Sequence, residues 1–325
     1  MTDASHTPVQ TAPQGAVADA VPDNWVDVYA PAWTRPYLRL SRADRPIGTW
    51  LLLIPCLWGV LLSGVAKGGL GWHGLWIITG CTVGAFLMRG AGCTWNDITD
   101  REFDASVTRT KSRPLPSGQV KVKSAVIWMC AQAILAFFIL LTFNLNAILL
   151  GIASLGLVCL YPFAKRFTWW PQMFLGLAFN WGALLAWTAH SGQLEWPAVA
   201  LYLAGIFWTL FYDTIYAHQD REDDALIGVK STARLFGDNT HAWLLGFEVF
   251  VAIGLIAATS TAFGPSESWL ALAVAYAGIG GFVLHMENQR RQLDINNPLL
   301  CLRLFQRTNL AGKIFAGSLV IALLV

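Results

Sequence analysis

An all-α membrane protein is what this sequence predicts, and three observations carry the prediction. Of 325 residues, 55% are hydrophobic and only 13% are charged, against about 25% charged in a soluble domain. The apolar residues fall into runs of roughly twenty, the length of helix that crosses a hydrocarbon core. Basic residues collect in the connections on one side of those runs, the pattern of the positive-inside rule. A net charge of +2 gives no basis for a nucleic-acid partner.

Residues 1–34 are rich in Ala, Thr, Pro, Gln and Asp and hold no Lys or Arg. They lack the basic start and apolar stretch of a secretory signal and the arginines of a mitochondrial presequence. A disordered polar extension is expected, with Trp25, Tyr29 and Trp33 touching the interface. A transmembrane domain is expected over residues 35–325. It contains about nine spans: 47–65, 74–94, 123–143, 146–164, 171–190, 197–218, 241–261, 269–286 and 308–325. With a cytoplasmic amino terminus, the connections after spans 2, 4, 6 and 8 carry the basic residues, and the opposite connections carry only Lys67. A multi-pass protein of a bacterial inner (cytoplasmic) membrane is expected, with an external carboxyl terminus. The six cysteines, scattered through apolar runs without a Cys-x-x-Cys pair, read as packing residues. Glu248, inside span 7, reads as a hydrogen-bonded bundle-interior residue.

Nine of the 20 acidic residues lie in two short windows. The first is Asn96-Asp97-x-x-Asp100-x-x-x-Asp104. The second is Asp213-x-x-Tyr216 followed by Asp220-Arg221-Glu222-Asp223-Asp224. Carboxylates beside a bilayer are expensive unless something compensates them. Four spans separate the windows, so both emerge on the same cytoplasmic face, at equivalent points of an internal repeat. Asn96, Asp100 and Asp104 recur every four residues and form one helical stripe, which Asp97 widens. Asp213, Tyr216 and Asp220 share a face, and Asp224 follows one turn later. Crowded hard oxygen donors suit Mg²⁺. Arg101, Arg109, Lys111 and Arg113 in the first loop and Lys230 and Arg234 in the second supply phosphate-binding cations. Acids for a metal beside bases for phosphate predict a diphosphate site.

At this level of detail a family resemblance appears. Asn96 to Asp104, continuing through Arg109-Thr110-Lys111-Ser112-Arg113-Pro114-Leu115-Pro116-Ser117-Gly118, resembles the first signature of the UbiA superfamily of intramembrane prenyltransferases. The stretch from Asp213 to Asp224, followed by Gly228-Val229-Lys230-Ser231-Thr232, resembles the second. Arg45-Pro46-Ile47-Gly48-Thr49, Tyr161-Pro162-Phe163-Ala164-Lys165-Arg166 and Pro171-Gln172 place the likeness nearest the enzymes that prenylate 4-hydroxybenzoate. The resemblance implies nine helices around a cavity capped by two Asp-rich loops, and Mg²⁺ on a polyprenyl diphosphate. Asn96, Asp97, Asp100, Asp104, Asp220 and Asp224 would be metal ligands, with Asp100, Asp104, Asp220 and Asp224 catalytic. Transfer would place the prenyl group ortho to the hydroxyl of 4-hydroxybenzoate, as in ubiquinone biosynthesis.

At the acceptor end, Arg45 and Arg166 are the candidates for holding the aromatic carboxylate, with Asp213 and Tyr216 beside the ring. Asp220 or Asp213 would accept the ring-hydroxyl proton. Phe86, Phe138 and Trp181 illustrate the lining expected for the isoprenoid tail. Other acceptors (homogentisate, a menaquinone precursor, haem or chlorophyllide) remain alternatives. A transporter is the rival class, but it would place acids near mid-membrane rather than at one face.

Overall fold

The protein is described by a computed structural model covering residues 17, 20, 21, 23–106, 110–226, 228–264 and 268–325. Arg109, expected at the diphosphate, lies outside the described residues, as do residues 1–16. Among the described residues the regular structure is entirely helical: α1 (Trp25–Val28), α2 (Arg35–Leu40), α3 (Ile47–Ala66), α4 (Gly71–Thr99), α5 (Arg101–Ser106), α6 (Val122–Leu140), α7 (Leu145–Phe167), α8 (Pro171–Ser191), α9 (Trp196–Ala217), α10 (Arg221–Leu226), α11 (Thr232–Phe236), α12 (Thr240–Ala262), α13 (Trp269–Gln292), α14 (Pro298–Arg307) and α15 (Asn309–Ala322).

Each of the nine apolar runs is helical. Seven of the described helical segments are long and apolar enough to cross a membrane. Gln172, Asn180 and His190 dilute the hydropathy of α8, and α15 has only 14 residues. Local chemistry sets the ends. Asn144 caps α7 by accepting from the Ala147 amide, Ser268 caps α13, and Asn297 caps α14 just ahead of Pro298, each answering amides that a helix leaves unpaired. Gly192, with φ of +86°, ends α8 in the left-handed conformation that glycine adopts without strain.

The core lies where α3 packs against α8 and α15, and α9 against α8 and α12. Trp58 of α3 is fully buried, with Trp208, Phe282 and Phe315 rings 5.2, 5.7 and 5.7 Å away. Its indole donates to the Gly312 carbonyl at 2.9 Å, which satisfies the buried N–H. By contrast, α6 and α7 bury few residues and turn Ile127, Leu135, Phe138, Leu149 and Leu160 outward. That is the face a bilayer-contacting helix presents.

The expected disordered extension ends earlier than residue 34. Val26 of α1 is fully buried, Trp25 donates to the Ala43 carbonyl, and Asp27 pairs with Arg39 at 2.6 Å. Burial works to raise the Asp27 carboxyl, but hydrogen bonds from Arg39 and Asn24 outweigh it and hold it below its ordinary value. A buried pair on an apolar contact docks residues 24–34 onto the domain. Composition misses this because short polar segments look alike whether docked or free. Glu248 is buried, with Arg290 at 3.5 Å, a bundle-interior residue as expected.

Gly59 sits where α3 crosses α8, and a Cβ there would lie 2.5 Å from the Ala183 carbonyl oxygen. Gly59→Ala is expected to push the two helices apart and destabilise the protein by about 1–3 kcal/mol. Gly280→Ala, where a Cβ meets nothing within 4 Å, serves as the matched control. Thermal unfolding in detergent should separate the two, with Tm falling only for Gly59→Ala.

Candidate active site

The first acidic cluster straddles the end of α4. Asn96 and Asp97 occupy its last turn, the Asp100 backbone N–H caps it by donating a hydrogen bond to the Asn96 carbonyl, and the Asp104 N–H donates in the same way to the Asp100 carbonyl at 2.8 Å. The stripe read from the sequence thus continues across the break into α5. Asp97 and Asp100 are 0% and 1% exposed. Carboxylates that deep need counter-charge, and the structure supplies it. Asp97 accepts from Arg42 at 2.6 Å and from Arg113 at 3.5 Å; Arg113 also reaches Asp104 at 2.8 Å. Asp100 takes Lys165 on one oxygen at 2.6 Å and Arg166 on the other at 3.3 Å. Burial pushes the Asp104 carboxyl above its ordinary value, and the Arg113 charge opposes that rise.

Arg42 has a φ of +58°, a conformation that costs a non-glycine residue about 1 kcal/mol or more. The bonds from its guanidinium to Asp97 and to the Arg39 carbonyl keep it there. Strain fixed by a buried ion pair marks a segment whose shape serves the site.

The second cluster begins inside α9. Asp213 and Tyr216 face the bundle interior, and the Tyr216 ring lies 4.5 Å from that of Phe305. Asp220 closes a turn of 3₁₀ helix after α9, and Asp224 follows in α10. The loop beyond is held by Arg234, which donates to the carbonyls of Asp224, at 3.2 Å, and Val229. Lys165 joins the two clusters. Its ammonium holds Asp100, and its carbonyl accepts from the Lys230 amide at 3.4 Å.

Beneath lies a cavity of about 590 Å³. Its polar end is formed by Arg42, Arg45, Arg89, Asn96, Arg113, Tyr161, Asp213 and Tyr216. Leu51, Met88, Phe137, Leu155, Phe179 and Trp181 line its apolar reach. Of the residues expected at the acceptor, Arg45, Asp213 and Tyr216 are at the cavity, and Arg166 is not. α7 carries Arg166 to the outer surface, where it binds Asp100 and lies over the Phe103 and Phe163 rings. Among the described residues of the expected diphosphate set, Arg113 alone lines the cavity. Arg101 and Lys111 are exposed, and Lys230 donates to the Phe167 carbonyl at 3.4 Å. Trp181 lines the cavity as expected, whereas Phe86 and Phe138 turn outward.

Arg42, Asp44, Arg89, Tyr161 and Lys165 also belong to the site, although none was among the expected site residues. Asp44 grips Arg45 through two bonds of 3.1 and 3.0 Å. The run Ser41-Arg42-Ala43-Asp44-Arg45 before span 1 was a signal for two of them. For Arg89, the signal was an arginine inside a predicted span.

The donor set suits a hard cation such as Mg²⁺: Asn96 lines the cavity with its side-chain amide, and one buried oxygen of the adjoining Asp97 (Oδ2) has no hydrogen-bond partner. Among the described residues no three acidic, His or Cys groups converge on one point. The fit is therefore to an ion taking one or two carboxylates, completed by phosphate oxygens and water, the habit of Mg²⁺.

Known proteins share this helical fold. The UbiA homologue from Archaeoglobus fulgidus, solved bound to GPP and Mg²⁺, matches with a TM-score of 0.65 at 18% identity, covering 89% of this chain and 100% of that one. A UbiA homologue from Aeropyrum pernix K1 matches at 0.64 and 21% identity, over 84% and 97%. The UbiA prenyltransferase family model matches residues 52–310, and the chain belongs to that family. Mitochondrial 4-hydroxybenzoate polyprenyltransferases are similar along most of it. That of Aedes aegypti is 46% identical over 89% of this chain, and that of Homo sapiens 44% identical over 90%. The chain spans 64% of the mosquito protein's length and 76% of the human one's.

These relatives correct the expected bacterial inner membrane. They are mitochondrial proteins of insects, mammals and a plant. Basic loops orient a chain in whichever bilayer holds it and carry no mark of which bilayer that is.

Asp97→Ala leaves Arg42 and Arg113 beside an apolar gap. Removing one partner of a buried ion pair costs about 3–5 kcal/mol, so this variant should melt well below the wild type in detergent. Asp97→Asn, which keeps an acceptor for Arg42, should lose distinctly less.

Proposed function

We propose that this protein transfers a polyprenyl group from polyprenyl diphosphate to the ring carbon ortho to the hydroxyl of 4-hydroxybenzoate, a step of ubiquinone biosynthesis. The observation that carries the reading is the cavity, apolar along its length and ringed at one end by Arg42, Arg113, Asn96 and Asp213, in a chain 44–46% identical to proteins named for that reaction. The apolar reach suits an isoprenoid tail, and the polar end suits its diphosphate. Nine helices crossing the membrane fit the nine apolar runs, with residues 35–325 as one domain and 24–34 docked upon it.

In this reading the two motifs, Asn96, Asp97, Asp100 and Asp104 in the first and Asp220 and Asp224 in the second, would each offer one or two ligands to Mg²⁺, which would stabilise the charge of the departing diphosphate. Among the described residues of the expected diphosphate set, Arg113 is the one at the cavity, placed for the phosphate oxygens. Arg42 and Lys165 hold the first motif in shape through Asp97 and Asp100. The apolar walls exclude water from the allylic carbon as the carbon–oxygen bond breaks. Asp213 and Tyr216 stand at the cavity within reach of the acceptor, and Asp213 is the better placed of the two candidate bases for the hydroxyl proton.

The test is prenylation of labelled 4-hydroxybenzoate by membranes containing the full chain, given polyprenyl diphosphate and Mg²⁺. A chelator should abolish product. Asp100→Ala should lower kcat/KM by at least about a hundredfold, the scale of losing an electrostatic stabiliser of developing charge. Product surviving either treatment would sink the assignment of the first motif.

A further inference from the structure

We infer that Arg89, and not Arg45 or Arg166, binds the carboxylate of the aromatic acceptor. The inference rests on the 4-hydroxybenzoate reading and assigns a residue to its acidic end. Arg89 lies two turns before Asn96 on α4, about 10 Å further along the helix axis at 1.5 Å per residue. An arginine within a span is costly and is retained where it faces a partner or a cavity. Arg89 lines the cavity.

Its surroundings supply no counter-ion in contact. On one side the guanidinium lies against Gly48, where a Cβ would come within 2.5 Å of its Nε. It also lies over the Phe179 ring, 5.2 Å from its centroid. The Nε is buried without a hydrogen-bond partner. Among the described residues none bonds to the Arg89 guanidinium or forms an ion pair with it. Asp213 is near enough to interact with its charge, yet it makes no direct contact and leaves the donor edge open.

The other candidates already have a carboxylate in contact. Arg45 gives Nε and Nη2 to Asp44, which neutralises its charge, and Arg166 is outside the cavity on Asp100. A guanidinium with its face on an aromatic ring and its edge toward a cavity is shaped for bidentate carboxylate binding. Phe179 beside it offers a surface for the acceptor's ring. Gly48 is then a specificity residue too, because only a missing side chain leaves room for Arg89 in this position.

The test uses the full chain in membranes and two acceptors, 4-hydroxybenzoate and the neutral 4-hydroxybenzamide. Arg89→Gln should raise the KM for 4-hydroxybenzoate on the order of 10- to 100-fold, the scale of a lost charge-assisted pair. The KM values for the amide and for polyprenyl diphosphate should move no more than about twofold. Gly48→Ala, which keeps Arg89 but displaces it, should shift the acid's KM in the same direction and so covers the case in which Arg89→Gln fails to fold. Equal losses on acid and amide, or a raised KM for the diphosphate, would overturn the inference. Equilibrium binding of radiolabelled 4-hydroxybenzoate separates this inference from the reaction itself. Binding by wild type and not by Arg89→Gln supports Arg89 even without turnover, and equal binding by both counts against it.

Discussion

Neutralising buried carboxylates at the edge of an apolar bundle is the constraint on which the rest of this structure depends. Asp97, Asp100 and Asp104 lie within eight residues and are nearly inaccessible. Their partners come from three separate parts of the chain: Arg42 ahead of α3, Arg113 beyond α5, and Lys165 and Arg166 at the end of α7. Each ion pair draws its segment over the mouth of the cavity. The same arrangement explains why Arg42 tolerates a left-handed backbone and why Arg113 lies against the end of α4. Compensation of charge thereby also builds the roof of the site.

Much of this was legible in the sequence. Runs of about twenty apolar residues located nine helices within a few residues, because a bilayer imposes length and hydropathy together. The spacing of Asn96, Asp100 and Asp104 predicted a stripe that the structure keeps across the break at Asp100. The sequence was less informative about cations. Charge beside a motif reads as phosphate binding, yet Arg101 and Lys111 face outward and Lys230 bonds a carbonyl, while Arg166, expected at the acceptor's carboxylate, serves Asp100. Which side of a short loop a lysine or arginine takes depends on tertiary pairing, and one-dimensional spacing does not encode it. Arg89 was overlooked for the opposite reason. A hydropathy window absorbs one arginine among many apolar residues, although that lone charge is the informative one.

Similarity and geometry speak to different parts of the molecule. The archaeal structures, at 18–21% identity, speak to the fold, whereas the mitochondrial relatives, at 44–46%, show kinship along most of the chain. The acceptor end rests on side chains. There the paired Asp44 and Arg45 and the open guanidinium of Arg89 differ in one respect that matters: whether an internal partner already occupies the donor edge.

The thin wall formed by α6 and α7 has its own consequence. Ile134, Phe137, Ile152 and Leu155 line the cavity and are also exposed on the outer surface, and the two helices touch little beyond their shared turn. The chamber is therefore a bay opening on the surrounding oil rather than a sealed well. A hydrocarbon tail longer than the bay can trail into the lipid without meeting water, so its length is not limited by the volume enclosed.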